Sequence, residues 1–183
     1  MKTIICIIGP IGSGKDAAAE HIASKLSIPT FQISQVLKDF AKEWGLEPTR
    51  ENLIKVGNKL AEENGQGFTV KVLMDKISDN LLIITGVRRT GVIDYIRHNY
   101  NLILLAITSE TKIRFQRCVV RNKLGEAKTL TEFIENEKKE NSAPNTERLF
   151  ECMKVADYTI SNDVDLKTFT AKIDEFLELK GLE

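Results

Sequence analysis

The chain has no surplus of charge of either sign: 26 Lys and Arg residues face 26 Asp and Glu in 183 residues. A protein that holds nucleic acid through its phosphates needs a basic excess, so this balance argues against a nucleic-acid partner. Cysteine is scarce. Cys6, Cys118 and Cys152 stand far apart without paired spacing, which excludes a disulfide framework and a zinc site. The only histidines, His21 and His98, have no sequence relation to a cysteine, so no thiol nucleophile is indicated. Long apolar runs are missing too. Thr3 to Ile8 falls far below the roughly 20 residues that span a bilayer, and is too short for a signal-peptide core. The expectation is a cytoplasmic protein with no membrane partner. No repeat, low-complexity tract or long linker divides the chain, so residues 1–183 are expected to form one domain.

What is present is a regular alternation of strand-like and helix-like segments. Thr3-Ile-Ile-Cys-Ile-Ile8 is a continuous, mostly β-branched run closed by Gly9-Pro10, the pattern of a strand buried on both faces. From Lys15 to Leu26 the pattern turns helical, with Ala18, Ile22, Ala23 and Leu26 along one side. Strands are predicted at Pro29–Ile33, Leu81–Ile84, Leu102–Ile107 and Tyr158–Ile160. Helices are predicted over about 34–44, 50–65, 68–79 and 165–180, and at Gly91–Asn99. Two or three charged helices fill roughly 110–155, interrupted at Asn122–Gly125 and Asn141–Pro144. Such alternation implies an α/β fold, a parallel sheet with crossover helices on both faces.

Gly9-Pro-Ile-Gly-Ser-Gly-Lys15 joins the first strand to the first helix and matches G-x-x-x-x-G-K. Glycines let backbone N–H groups turn inward around an anion, and the helix N-terminus adds partial positive charge. Gly9, Pro10, Ile11, Gly12, Ser13, Gly14, Lys15, Asp16 and Ala17 are therefore the expected phosphate cradle, with Lys15 reaching the β- and γ-phosphates. Asp16 stands where Ser or Thr is usual. It is either a hard-oxygen ligand for Mg²⁺ beside the nucleotide or merely a favourable first-turn carboxylate.

Ligands of open parallel sheets bind beyond the carboxyl ends of the strands. That places Thr85, Arg88 and Arg89 at the border of a cleft, where a planar guanidinium suits a phosphate. Arg88 is favoured over Arg89. The bland alternative is a pair of solvated arginines at a helix start. Arg114, Arg117 and Arg121 fall at i, i+3 and i+7 on one helical face. Closing over a phosphoryl group, Arg117 and Arg121 would stabilise charge in transit; a solvated face would explain them equally simply. Beyond the second strand, Gln32, Ser34 and Lys38 are candidates to face an acceptor, although N-capping alone would account for Ser34. Phe31, Phe40, Trp44 and Phe68 read as packing residues.

Gly9-x-x-Gly-Ser-Gly-Lys15, Gly45-Leu-Glu-Pro-Thr49 with Glu51-Asn52-Leu53, Gly86-Val-Arg88, Arg114-Phe-x-x-Arg117 and Ala156-Asp-Tyr-x-Ile-x-Asn162 occur in that order. Together they resemble the nucleoside-monophosphate-kinase-like group of P-loop kinases. The chain looks most like the archaeal proteins labelled adenylate-kinase-related or dephospho-CoA-kinase-like. The resemblance implies a three-layer P-loop NTPase fold with a five-stranded parallel sheet, an acceptor-binding segment at about 31–80 and a lid near 117–145. It also implies ATP with Mg²⁺ as donor, Lys15 on the phosphates, and Arg88, Arg117 and Arg121 around the transferred group. Relatives carry Asp where this chain has Thr85, and Ser or Thr where it has Asp16. Carboxylate and hydroxyl have then either exchanged places across one metal site, or catalysis is lost. A related deoxynucleotide-kinase group also carries Gly-Lys-Asp, which favours exchange.

The expected function is a kinase that moves the ATP γ-phosphoryl group to a small nucleotide-like acceptor, first choice a (deoxy)nucleoside monophosphate, acting as a monomer or homodimer. Dephospho-CoA is the rival acceptor, and a nucleotide-binding regulatory protein without turnover is the rival class. A GTPase is disfavoured because Asn58-Lys-Leu-Ala61 and Asn122-Lys-Leu-Gly125 both lack the final Asp of a guanine-selecting loop. Motor-type and clamp-type ATPases want an acidic end to an apolar strand, and Ile83-Ile84-Thr85 has none.

Overall fold

β-Branched residues favour extended backbone, and where they run unbroken the strand has no solvated face. Such runs form the middle of the sheet in the computed structural model of the chain, which describes residues 1–121, 127–142 and 148–182. The elements are β1 (Thr3–Ile8), α1 (Lys15–Leu26), β2 (Thr30–Gln32), α2 (Ile33–Glu43), α3 (Arg50–Asn64), α4 (Phe68–Met74) and β3 (Leu81–Thr85). They continue with α5 (Thr90–Asn99), β4 (Asn101–Thr108), α6 (Thr111–Arg121), α7 (Leu130–Ser142), α8 (Leu149–Lys154), β5 (Tyr158–Ser161) and α9 (Leu166–Leu179). All strand pairs are parallel, in the order β2-β3-β1-β4-β5.

Side chains of β1 alternate between two cores. Ile4, Cys6 and Ile8 pack with Val70, Leu73, Ile93, Ile96 and Cys152 of α4, α5 and α8. Ile5 and Ile7 face Ala18, Ala19 and Ile22 of α1 and Phe169, Ile173, Phe176 and Leu177 of α9. Ile4, Ile5 and Ile7 are fully buried, each contributing roughly 1.5–3 kcal/mol of transfer free energy. The three-layer α/β architecture with five parallel strands matches the expectation. Helices α2, α3 and α4 form a cap: α2 and α4 join the first core through Ile33, Val36, Val70, Leu73 and Met74, and a smaller core of Ala41, Val56 and Leu60, with Leu37, Phe40, Leu53 and Phe68 around it, ties the cap together.

The observed boundaries depart from the predicted ones where side chains compete with the helix. The pattern over 68–79 implies one helix, but α4 ends at Met74. Lys76 and Ile77 donate to Leu73 and Met74, tightening the chain into i−3 turns that bury Ile77 and bring the Asn80 carbonyl to the Thr3 amide. Ser34 does not cap α2: the helix begins one residue earlier, at Ile33, and its N-cap is Gln32. Side-chain caps form elsewhere: the Thr49 hydroxyl accepts from the Asn52 amide at 3.3 Å at the start of α3, and the Asp165 carboxylate from the Thr168 amide at 3.0 Å at the start of α9. The predicted aromatic packing is present, with Phe40 6.2 Å from Trp44 and 6.0 Å from Phe68 between ring centres.

Candidate active site

Parallel strands deliver all their carboxyl ends to one edge of the sheet. Gln32 pairs in register with Thr85, Thr85 with Ile7, Ile8 with Ala106, and Thr108 with Ser161. The segment Gly9–Lys15 leaves the central strand in the middle of this edge. Gly14, at φ 97°, is the N-cap of α1, so the amides of Lys15, Asp16 and Ala17 open the helix without intrahelical partners. Free amides at a helix start, with a lysine as the first helical residue, suit a polyphosphate. Among the described residues the buried polar ones are Ser13, Thr69, Thr85, Arg114 and Asn162. All but Thr69 belong to this edge or support it.

The loop is held from outside by three side chains. Asn162, just beyond β5, donates its Nδ2 to the Ser13 carbonyl at 2.8 Å. Arg114 of α6 donates to the Ile11 carbonyl at 3.3 Å, and Arg117 of α6 to the Gly12 carbonyl at 3.3 Å. These contacts explain the glycines as firmly as a ligand would. A Cβ at Gly12 (φ +77°) would lie 2.5 Å from the Arg114 carbonyl oxygen, and one at Gly14 would lie 2.2 Å from Asn162 Nδ2. One at Gly9 would sit 2.5 Å from both the Ile107 carbonyl oxygen and Ser13 Oγ. That Ser13 hydroxyl is fully buried with no partner, the one such side-chain atom among the described residues. A donor is left uncommitted at the root of the loop.

Lys15, Asp16, Gln32, Ser34, Thr85 and Arg88, gathered from four elements and their connections, line a single cleft of about 520 Å³. Lys15 Nζ stands 3.3 Å from Asp16 Oδ2, and that carboxylate is more than half exposed. Thr85, at the end of β3, is 3% exposed. Three expected residues are placed elsewhere. Lys38 is exposed on α2 and is not part of the cleft wall. Arg117 is not on the cleft wall: it donates to the Gly12 carbonyl and to the Asn162 carbonyl at 2.9 Å, on the far side of the loop. Arg121 sits 3.3 Å from Cys118 Sγ on its own helix, away from the cleft wall. Part of the lid expected at 117–145 falls on residues 122–126 and 143–145, outside the described residues.

Sequence reasoning missed Arg50 and Glu137, and it named Arg114 and Asn162 only within motifs, without a role at the site. Arg50 is the first residue of α3 and lines the cleft with Leu37, Leu53 and Ile54. Its signal was the Thr49 cap, which fixes where α3 starts and therefore what its first side chain meets. Asn162 carried the same signal as Thr85, a polar residue just past an apolar strand. Arg114 was marked by the arginine face of its helix but not by its partner, and Glu137 had no local signal.

A second, narrow cavity of about 50 Å³ adjoins the cleft through Leu37, Leu53, Ile54 and Arg88, and reaches Leu60, Phe68 and Thr69. Arg89 lies on its wall, with its guanidinium donating to Asn58 Oδ1. Asp163, beyond β5, is held below the ordinary aspartate range chiefly by the Ser161 hydroxyl at 2.6 Å and by the Glu110 amide at 2.8 Å. Burial pushes the Cys152 thiol up to about 12 and raises that of Cys6, so neither is a nucleophile at neutral pH. No helix among the described residues is long and apolar enough to cross a membrane.

The model of the AAA domain family matches residues 8–135, from the last residue of β1 through the loop and the cleft to α7. A UPF0200 protein of Pyrococcus horikoshii is 31% identical over 180 residues, covering 94% of both chains. The chain belongs to the AAA domain family, as one of its UPF0200 members. The UPF0200/UPF0201 protein of Archaeoglobus fulgidus is 29% identical over 181 residues. There the match covers 95% of this UPF0200 chain but only 54% of the longer relative. Among solved structures, shikimate kinase from Acinetobacter baumannii in complex with shikimate superposes with a TM-score of 0.58. It is 15% identical, and the match covers 100% of this chain and 96% of that one. At that identity the likeness establishes the fold alone. The resemblance to P-loop kinases read from the sequence is borne out at the level of family and fold.

Proposed function

We propose that the chain is an ATP-dependent small-molecule kinase whose acceptor oxygen belongs to a phosphate, with a (deoxy)nucleoside monophosphate as first choice. The observation that carries this is the cleft: loop residues Lys15 and Asp16, strand-end residues Thr85 and Arg88, and cap residues Ser34 and Arg50 share one wall. Phosphoryl transfer needs positioning and charge stabilisation more than covalent chemistry, and that wall is rich in both.

In this reading the loop amides and the unpartnered Ser13 hydroxyl supply donors for the polyphosphate, while Lys15 neutralises its distal oxygens. Asp16 and Thr85 fit a Mg²⁺ ion: a carboxylate and a hydroxyl, both hard oxygen donors, meet at one cleft. No cluster of three or more His, Cys, Asp or Glu stands among the described residues. The protein would therefore offer few ligands, as Mg²⁺ at phosphates requires. When bound, the ion offsets charge on the phosphate oxygens, including the repulsion that Asp16 introduces. Arg88 and Arg50 clamp the acceptor anion, Gln32 and Ser34 orient it, and Arg117 acts as a positioning residue for the loop.

Among the described residues, Asp16 is the only carboxylate on the cleft wall. A hydroxyl acceptor such as dephospho-CoA benefits from a carboxylate to take its proton, whereas a phosphate oxygen is already ionised. That contrast favours the monophosphate. One observation supports a smaller acceptor: the adjoining cavity, at about 50 Å³, is well below the roughly 300–1,000 Å³ of pre-formed ligand pockets. A base enters it only if the cap opens.

Labelled ATP offered with Mg²⁺ and a panel of nucleoside monophosphates, dephospho-CoA and shikimate tests the proposal, with Lys15→Ala as control. The expected result is transfer to at least one monophosphate, falling about 100-fold or more in Lys15→Ala. Transfer to hydroxyl acceptors alone would overturn the acceptor class. Tight ATP binding without transfer to any acceptor would favour a regulatory nucleotide-binding protein.

A further inference from the structure

Arg114 is 3% exposed, and a buried guanidinium must replace its lost hydration with fixed partners. It does so fully. Nε donates to the Ser109 carbonyl at 3.0 Å, and Nη2 to Thr111 Oγ1 at 3.0 Å. The two terminal nitrogens grip Glu137 of α7 end-on, Nη1 to Oε1 at 2.6 Å and Nη2 to Oε2 at 2.9 Å. The Phe133 ring, also on α7, lies 5.4 Å from the guanidinium carbon. A planar fork held at both tines has its orientation fixed.

The remaining Nη1 hydrogen bond goes to the Ile11 carbonyl of the phosphate loop, 3.3 Å away. A peptide is planar and trans, so a carbonyl held on one side sends the following N–H to the other. Anchoring the Ile11 carbonyl outward therefore aims the Gly12 amide away from Arg114. The same stretch of α6 packs its Arg114 carbonyl against the Gly12 Cα so closely that no Cβ fits. Inward-turned amides repel one another until an anion arrives, and the outward carbonyls are where the protein can resist that repulsion. A pair serving only to join α6 to α7 has no need of the loop.

Resting on the reading of Gly9–Lys15 as the ATP-binding loop, we propose that Arg114 is a positioning residue for the polyphosphate, that Glu137 sets it, and that the seating of α7 is thereby coupled to nucleotide binding. Coupling of this kind is reciprocal: bound ATP steadies α7, and a loosened α7 weakens ATP.

Calorimetry with ATP and Mg²⁺ on the full chain tests this, using Glu137→Gln, which keeps shape without charge, and Arg114→Lys, which keeps charge without the fork. Both are expected to raise Kd about tenfold or more. Phe40→Leu is the structural control, because its ring packs on Trp44 and Phe68 within the cap, at 6.2 and 6.0 Å between ring centres, and lies outside α6 and α7; it should lower Tm and leave Kd within about twofold. Hydrogen exchange adds a readout independent of affinity: ATP should slow exchange across α7 in the parent and not in Glu137→Gln. The reversed pair R114E/E137R restores attraction between α6 and α7 but sets a carboxylate beside the Ile11 carbonyl, so Tm should recover without affinity. Unchanged Kd in both single variants, or affinity that returns with Tm in the reversed pair, overturns the coupling. A parent protein that binds no ATP overturns the loop assignment itself, a failure distinguishable in the same titration.

Discussion

The phosphate loop and the helical cap face each other across one cleft, and they are built in opposite ways. Gly9, Gly12 and Gly14 are each in contact with a different neighbour: the Ile107 carbonyl, the Arg114 carbonyl and the Asn162 amide. Gly45 and Gly65 of the cap also have positive φ, yet a Cβ at either would meet nothing within 4 Å. The loop leaves the central strand between two buried clusters that span the sheet. The cap joins the first of them through Ile33, Val36, Val70, Leu73 and Met74, while α3 and the far end of α2 pack in a smaller cluster around Ala41, Val56 and Leu60. The loop is pinned by close backbone contacts, and the outer part of the cap, resting on the smaller cluster, has less to lose by moving. A donor shared by many kinases suits the rigid side; acceptor selection suits the adaptable one.

The strongest test of that contrast is Gly12→Ala. An L-residue at positive φ costs roughly 1–2 kcal/mol, and the clash with the Arg114 backbone adds to it. Denaturant unfolding should show a loss of about 3 kcal/mol or more, with ATP binding abolished. Arg50→Ala follows. Removing one charge-assisted contact from the cap, at about 1.5–3 kcal/mol, should raise the acceptor KM some 10–100-fold and leave ATP affinity within about twofold. A matching loss of ATP affinity would mean that Arg50 serves the donor side. The smallest effect belongs to Gly45→Ala, which pays only the backbone term of about 1 kcal/mol and should leave both binding steps unchanged. Equal losses in Gly12→Ala and Gly45→Ala would erase the distinction between the two regions.

The legible parts of the site were those where a local pattern implies a place. An apolar strand followed by a polar residue puts that residue on the ligand-bearing edge, which is why Gln32, Thr85 and Arg88 meet Lys15. Helix starts were less secure. Ser34 has the chemistry of a cap, but Ile33 is needed in the core under β3, so α2 begins one residue early. Arg117 has the chemistry of a phosphate clamp, yet two carbonyls of the loop and its neighbour claim its donors first. Arg114 and Glu137, 23 residues apart on separate helices, carried no local mark of their pairing.

By itself the sequence determined the order of strands and helices, the parallel sheet and the nest between Gly9 and Lys15, because each depends on periodicity and backbone freedom over a few residues. Tertiary structure alone decided which arginines face the cleft and which hold the loop from behind. A guanidinium goes to whichever acceptors burial leaves unsatisfied, and those are supplied by distant segments that only folding brings together.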